Sequence, residues 1–310
     1  MIFQDISIKL GSNSIKIVDH LSSDIDKDIL RRISDKSGIK SLLISKKDED
    51  AVTLVKSLIT KSIKDNLSKC QLIIIVSESK TQRIPPISSL ILTDVKTEDT
   101  LVLDLDSGCA GYVQALQIVD NFFSNKLFVN AAIITVDTYS KFIEKSNRGV
   151  APIFGDGASI NFFENNKKSS IISSNFGTFA ADYKSLVSNP KSDKLNMNGA
   201  EIFFFVKSKV IPSIKETIDN SKIKITEIDY FIIHQASKLV IDEIKRYFKI
   251  PHEKIFFEIQ DTGNLVSTSI PFLLHRVKNK VKNNSKLLFS AFGVGLTFSS
   301  LLVDYENNYN

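Results

Sequence analysis

The chain has 310 residues, 43% of them hydrophobic, 24% charged and 9% aromatic, which excludes a small stapled module, a disordered chain and a collagen-like fibre. Forty Lys and Arg against 35 Asp and Glu leave a formal charge of +5, spread along the chain rather than packed into a basic arm or stripe, so nucleic acid is not the expected partner. Two cysteines, Cys70 and Cys109, are too few for a disulfide framework.

Met1 to Leu10 alternates apolar and polar residues and lacks the pattern of an export signal. Runs of about 18 apolar residues, the length that spans a bilayer, are absent. A cytoplasmic protein without a membrane span is the expectation. Along the chain, short runs rich in Ile, Val, Leu and Phe alternate with segments of helical spacing, which predicts an α/β protein with a largely parallel sheet. Leu72 to Val76 and Leu101 to Leu105 read as buried strands, Ala131 to Val136 as another strand, and Gly111 to Ser124 as a helix buried on most sides.

The second half repeats this order. Strands are expected at Tyr230 to Ile233, Ile255 to Ile259 and Leu287 to Phe292, with a helix at Leu265 to Val277. Cys109 and Asn264 follow the first strand of their half by roughly 35 residues and precede the last by roughly 22, which suggests a duplication with both residues at equivalent strand-to-helix turns. Two fused halves are expected, 1–168 and 169–310, with the border among Asn165 to Ser170 and a frayed tail at Glu306 to Asn310.

Candidate chemistry starts at Cys109, in Asp106-Ser107-Gly108-Cys109-Ala110-Gly111. Flanking glycines permit a tight turn, and a thiol at the first turn of a helix feels the positive end of its dipole, which predicts a lowered pKa. A buried structural cysteine fits these residues as well. His234 follows an apolar strand, where sites form in α/β sheets, but a histidine capping a buried helix would look the same. Asn264 in Asp261-Thr262-Gly263-Asn264 could be an N-cap. Ser290 to Thr297 reads as a hairpin turn presenting backbone N–H groups, and Phe154-Gly155-Asp156-Gly157-Ala158 as a bend. His20, His252 and His275 read as surface or partly buried, and Cys70 as packing. Metal-ligand spacing is absent, so no metal is expected.

Taken in order, these pieces resemble the thiolase-fold condensing enzymes of the β-ketoacyl-acyl carrier protein synthase III family. The matching pieces are Ser37-Gly38-Ile39, Arg83-Ile84-Pro85-Pro86, Gly108-Cys109-Ala110-Gly111-Tyr112, Phe154 to Ala158, His234-Gln235-Ala236, Gly263-Asn264 and Phe292-Gly293-Val294-Gly295-Leu296-Thr297. The resemblance implies a five-layer αβαβα thiolase fold and a catalytic set of Cys109, His234 and Asn264. Cys109 would take an acyl group from acyl-CoA, with the backbone N–H groups of Cys109 and Val294 as oxyanion hole. His234 and Asn264 would stabilise the enolate formed when a malonyl thioester loses carbon dioxide. It further implies a homodimer, an acyl carrier protein as partner, no tightly bound cofactor, and a loop at Ile84 and Pro85 reaching the neighbour's acyl pocket.

Departures cluster at the entrance. The family's Asn and Arg after His-Gln-Ala are Ser237 and Leu239, its small polar residues after Gly-Asn are Leu265 and Val266, and its two tryptophans are missing, one replaced by Phe298. Arg31, Arg32, Lys36 and Lys40 could meet coenzyme A phosphates instead, Arg32 and Lys36 foremost. The alternative outcome is transfer of the acyl group to an oxygen or nitrogen nucleophile with His234 as general base. A papain-like hydrolase and a non-catalytic subunit remain as readings from other classes.

Overall fold

A computed structural model describes residues 1–20, 25–166 and 169–309. Strands of the main sheet are β1 (Ile2–Leu10), β2 (Leu72–Val76), β3 (Leu101–Leu105), β4 (Asn130–Asp137), β5 (Gly157–Glu164), β6 (Ile171–Thr178), β7 (Tyr230–Ile233), β8 (Ser285–Gly293) and β9 (Thr297–Asn307). The first half orders them β1-β5-β4-β2-β3, the second β6-β9-β8-β7. A short parallel pairing of Ile2 and Phe3 with Glu306 and Asn307 joins the two groups. Within each half the runs of highest apolar content pair in parallel, β2 with β3 and β4, and β7 with β8.

Of these, β2 and β7 are apolar throughout because both faces are covered, whereas β3 carries Asp104 and is only partly buried. Leu72, Ile74 and Val76 point to the middle of the molecule, against helices α2 (Gly111–Ser124) and α5 (Ser269–Val277), while Ile73 and Ile75 point outward to Leu54 and Ile87. In the second half Ile232, Leu287, Phe289 and Leu301 face the same middle layer, and Phe231, Ile233, Leu288 and Leu302 face outward to Ile214 of α3 (Ile211–Ser221) and to Val240 and Ile244 of α4 (Lys238–Phe248). Helices, sheet, helices, sheet, helices make the five layers, and the strand period of two sorts each run between them.

Four expectations change. The sheet is not largely parallel: β1 with β5, β4 with β5, β8 with β9 and β6 with β9 all pair antiparallel. Ile255 to Ile259 is no strand: Ile255 makes a single bridge to Phe231, and the segment turns away to deliver Gln260 to Thr262 against the first half. The helix expected from Leu265 opens as a 3₁₀ turn, Val266–Thr268, and becomes α-helical at Ser269. The tail is tied down through Asn307, and the Tyr305 hydroxyl donates to that of Tyr309. The border expected between residues 168 and 169 falls on 167–168, and the last tail residue is Asn310; these lie outside the described residues.

Candidate active site

Cys109 sits in a 3₁₀ turn, Gly108–Ala110, that runs directly into α2. Gly293, at the end of β8, presses against it: a Cβ there would lie 2.9 Å from Cys109 Cβ and 3.2 Å from Sγ, so only glycine leaves the thiol its place. The same approach brings Val294 beside Gly108, where an added Cβ would meet Val294 Cγ1 at 3.0 Å.

Cys109, His234 and Asn264 all line one cavity of about 330 Å³. His234 follows β7, its N–H donating to Ser290 O of β8 and its ring edge-on to Phe292 at 5.4 Å. It is 1% exposed, Nδ1 has no hydrogen-bond partner among the described residues, and burial pulls its pKa down to about 3. A neutral imidazole at physiological pH results. Asn264 is fixed by its backbone, which bonds to Ile153 O and Gly155 N at 2.8 and 3.0 Å. Its Oδ1 accepts from Val266 N–H at 2.9 Å, so the group it can offer the cavity is the Nδ2 amide. Val266 adopts φ of 52° to make that bond, a left-handed conformation uncommon for a β-branched residue.

The expected low pKa of Cys109 is reversed. Burial pushes the thiol well up, and the carboxyls of Glu78 and Asp137 push it further. Sequence reading missed both, since Glu78 lies just beyond β2 and Asp137 at the end of β4, each far from Cys109 along the chain; a carboxylate after the wholly apolar run Leu72–Val76 was the available signal. Asp137 accepts from Glu78 N–H and the Ser79 hydroxyl at 3.0 Å and from Ser267 N–H at 3.2 Å, tying two first-half strand ends to the turn after Asn264.

At the mouth, α1 (Lys27–Ser37) turns Ile33, Lys36 and Ser37 to the cavity. Those are i, i+3 and i+4 of one helical face, so Arg32, one position off, points to solvent and does not line it. Arg31 pairs with Asp28 instead. Arg148, not singled out in the sequence, supplies the second cation at the mouth, and Leu239 lies there 47% exposed. Ile84 and Pro85 line neither this cavity nor the one behind it; Ile84 stands 82% exposed on a loop beyond β2. His252 is exposed, and His275 is half-buried with Nδ1 against Ile6 O; the His20 side chain lies outside the described residues. Among the described residues no group of three His, Cys, Asp or Glu is placed to hold a metal, and no helix is long and apolar enough to cross a membrane.

Residues 103–180 match the family model described as 3-oxoacyl-[acyl-carrier-protein] synthase III, and residues 218–305 match its C-terminal model, together more than half of the chain. The chain is 27% identical over 291 residues to beta-ketoacyl-[acyl-carrier-protein] synthase III of Clostridium acetobutylicum, covering 88% of this chain and 89% of that protein. It is 29% identical over 289 residues to the same-named protein of Streptococcus gordonii, covering 87% and 89%. The crystal structure of 3-oxoacyl-[acyl-carrier-protein] synthase III from Aquifex aeolicus superposes with a TM-score of 0.87 at 25% identity, over 98% of this chain and 99% of that one. Xanthomonas campestris OleA shares the fold at 15% identity, with a TM-score of 0.80 over 97% of each chain. The chain belongs to the 3-oxoacyl-acyl carrier protein synthase III family of thiolase-fold condensing enzymes.

Proposed function

We propose that this protein joins an acyl group from acyl-CoA to a malonyl thioester on acyl carrier protein, the reaction that opens a fatty-acyl chain. The Cys109 sulfur, giving up its proton, attacks the acyl thioester carbonyl and coenzyme A leaves as the thiol. Backbone N–H groups of Cys109 and Val294 hold the oxyanion; using only the N–H, the site accepts valine there. The C–C bond to the malonyl carboxylate then breaks, carbon dioxide departs, and the electron pair forms an enolate. That carbon attacks the acyl-Cys109 carbonyl, the thiolate leaves, and a 3-oxoacyl thioester results.

The observation that carries this reading is the shared cavity of Cys109, His234 and Asn264, with a neutral imidazole and an amide N–H available to one developing oxyanion. Removing such a donor costs about 3 to 4 kcal/mol in transition-state stabilisation. Transfer to an oxygen or nitrogen acceptor would instead need His234 as a base, and a pKa near 3 is far below the value near 7 that such a base requires.

Lys36 and Arg148 at the mouth suit the phosphates of coenzyme A or of a carrier's prosthetic arm. Arg32 has no such part, and entry past Leu239 rather than an arginine makes carrier contact there apolar. No tightly bound cofactor is needed. A homodimer and a cytoplasmic location complete the proposal, with Ile84 and Pro85 offered to the partner subunit rather than to their own site. Intact-protein mass spectrometry after exposure to acyl-CoA tests it: the wild type should gain one acyl group and Cys109→Ala none. Equal labelling of Cys109→Ala would remove the mechanism.

A further inference from the structure

Behind Val294 lies a second cavity of about 390 Å³, and Leu186 is a wall of both. It is lined in part by Glu78, Tyr139, Lys80 and Asp106. Glu78 is the group the condensation chemistry leaves without a task. Its Oε2 lies against the residue preceding the nucleophile: a Cβ on Gly108 would be 2.9 Å from it. The loop after β2 fixes this position, with the Glu78 N–H on Asp137 Oδ1, and the Tyr139 hydroxyl donates to Oε2 at 2.5 Å. Tyr139 is itself buried against Phe154. Oε1 has no hydrogen-bond partner among the described residues, and Glu78 is only half-buried because it opens on this cavity.

A plain hydrocarbon laid there would strip water from the carboxyl and return nothing, a penalty that burial of polar groups always carries. A hydroxyl or amine would donate to it. We propose that this cavity receives the acyl chain and that Glu78, oriented by Tyr139, selects chains bearing a hydrogen-bond donor, hydroxyl or amino, over hydrocarbon chains of equal length. The proposal rests on Cys109 being the acylated residue. Burial also pushes the Glu78 carboxyl up to about 7, with Asp137 and Asp106 adding to the effect and the Tyr139 bond and Lys80 opposing it, so it accepts a hydrogen bond in either protonation state.

Sites that hydrogen-bond a substrate group discriminate sharply against analogues lacking it. The test is the rate of Cys109 acylation, followed by intact mass, with butyryl-, 3-hydroxybutyryl-, 4-hydroxybutyryl- and 4-aminobutyryl-CoA. Expected is a preference of about tenfold or more for at least one donor-bearing chain over butyryl. Hydroxyl and amine arms then tell which donor is used. Glu78→Leu should bring the preference to within about twofold by speeding butyryl transfer, whereas Glu78→Gln keeps an acceptor and with it any preference for a hydroxyl. Tyr139→Phe, which changes volume little, should weaken the preference without loss of labelling. A wild type that takes butyryl as well as or better than every donor-bearing chain overturns the proposal. So does a Glu78→Leu protein that slows with all four chains alike, since Glu78 would then serve the thiol. Absence of labelling by any of the four overturns the assignment of Cys109 itself.

Discussion

His234 and Asn264 divide one task by opposite means, the imidazole kept neutral by burial and the amide aimed by a backbone bond to Val266. In the proposed reaction both act on the enolate rather than on the thiol. His234→Ala and Asn264→Ala should therefore each cut condensation by about 10² to 10³ while Cys109 still acylates, read by product formation beside intact mass. Glu78 makes a separate prediction. Its folded pKa, about 7, is raised above the unfolded value, so the protein is most stable where the carboxyl is protonated in both states and loses that advantage as pH rises through 7. Glu78→Gln should match the wild type near pH 4 and exceed it in denaturant midpoint by pH 8. An offset that does not change with pH contradicts the assignment. The helix start was legible from the residues around Cys109, but the burial that reverses its pKa and the carboxylates of Glu78 and Asp137 that add to it come from tertiary packing of other segments.

At the scale of elements, β2 and β7 were legible because burial on both faces leaves no room for polar residues; with them, β3 and α2 fall on the bounds that the sequence implies, although β3 is only partly buried. Ile255 to Ile259 is similarly apolar and is no strand, since a side chain holds its backbone: Gln235 Nε2 donates to Phe256 O and Oε1 accepts from Glu258 N–H, and the residues that follow form a strap in which Gln260 O accepts from Lys40 N–H and Thr262 O from Leu43 N–H. Composition cannot tell a strand from an apolar strap. The strap explains the bend at Gly155, where an added Cβ would stand 2.0 Å from Thr262 O. Gly155→Ala should cost about 3 kcal/mol or more, because backbone rather than a side-chain end must move. Thermal unfolding measures it, and a Tm unchanged within a degree would show the contact to be slack.

For the whole molecule, the two strand orders correspond when β1 is set against β6, β2 against β7, β4 against β8 and β5 against β9. Both α2 and α5 then lie between the sheets, and the turns that open them carry Cys109 and Asn264 to one cavity. This arrangement could be anticipated from the spacing of the runs, but the route by which an acyl chain leaves that cavity could not, because it depends on Glu78, Tyr139 and Val294 meeting across three separate segments. Among the described residues β3 ends the sheet with an unpaired edge and Leu101 40% exposed, an arrangement that proteins usually cover. Continuation of that edge across a twofold axis gives the proposed homodimer; sedimentation should show a species of twice the 34.7 kDa chain mass, and a monomer at micromolar concentration would remove it.

The most direct measurement is a single-turnover experiment on acylated protein, adding malonyl-acyl carrier protein and following the Cys109 adduct and carbon dioxide together. Loss of the adduct in step with equimolar carbon dioxide and a 3-oxoacyl-carrier product is the predicted result. An adduct that persists, or that discharges with the malonyl carboxylate intact, would contradict the condensation described for this site.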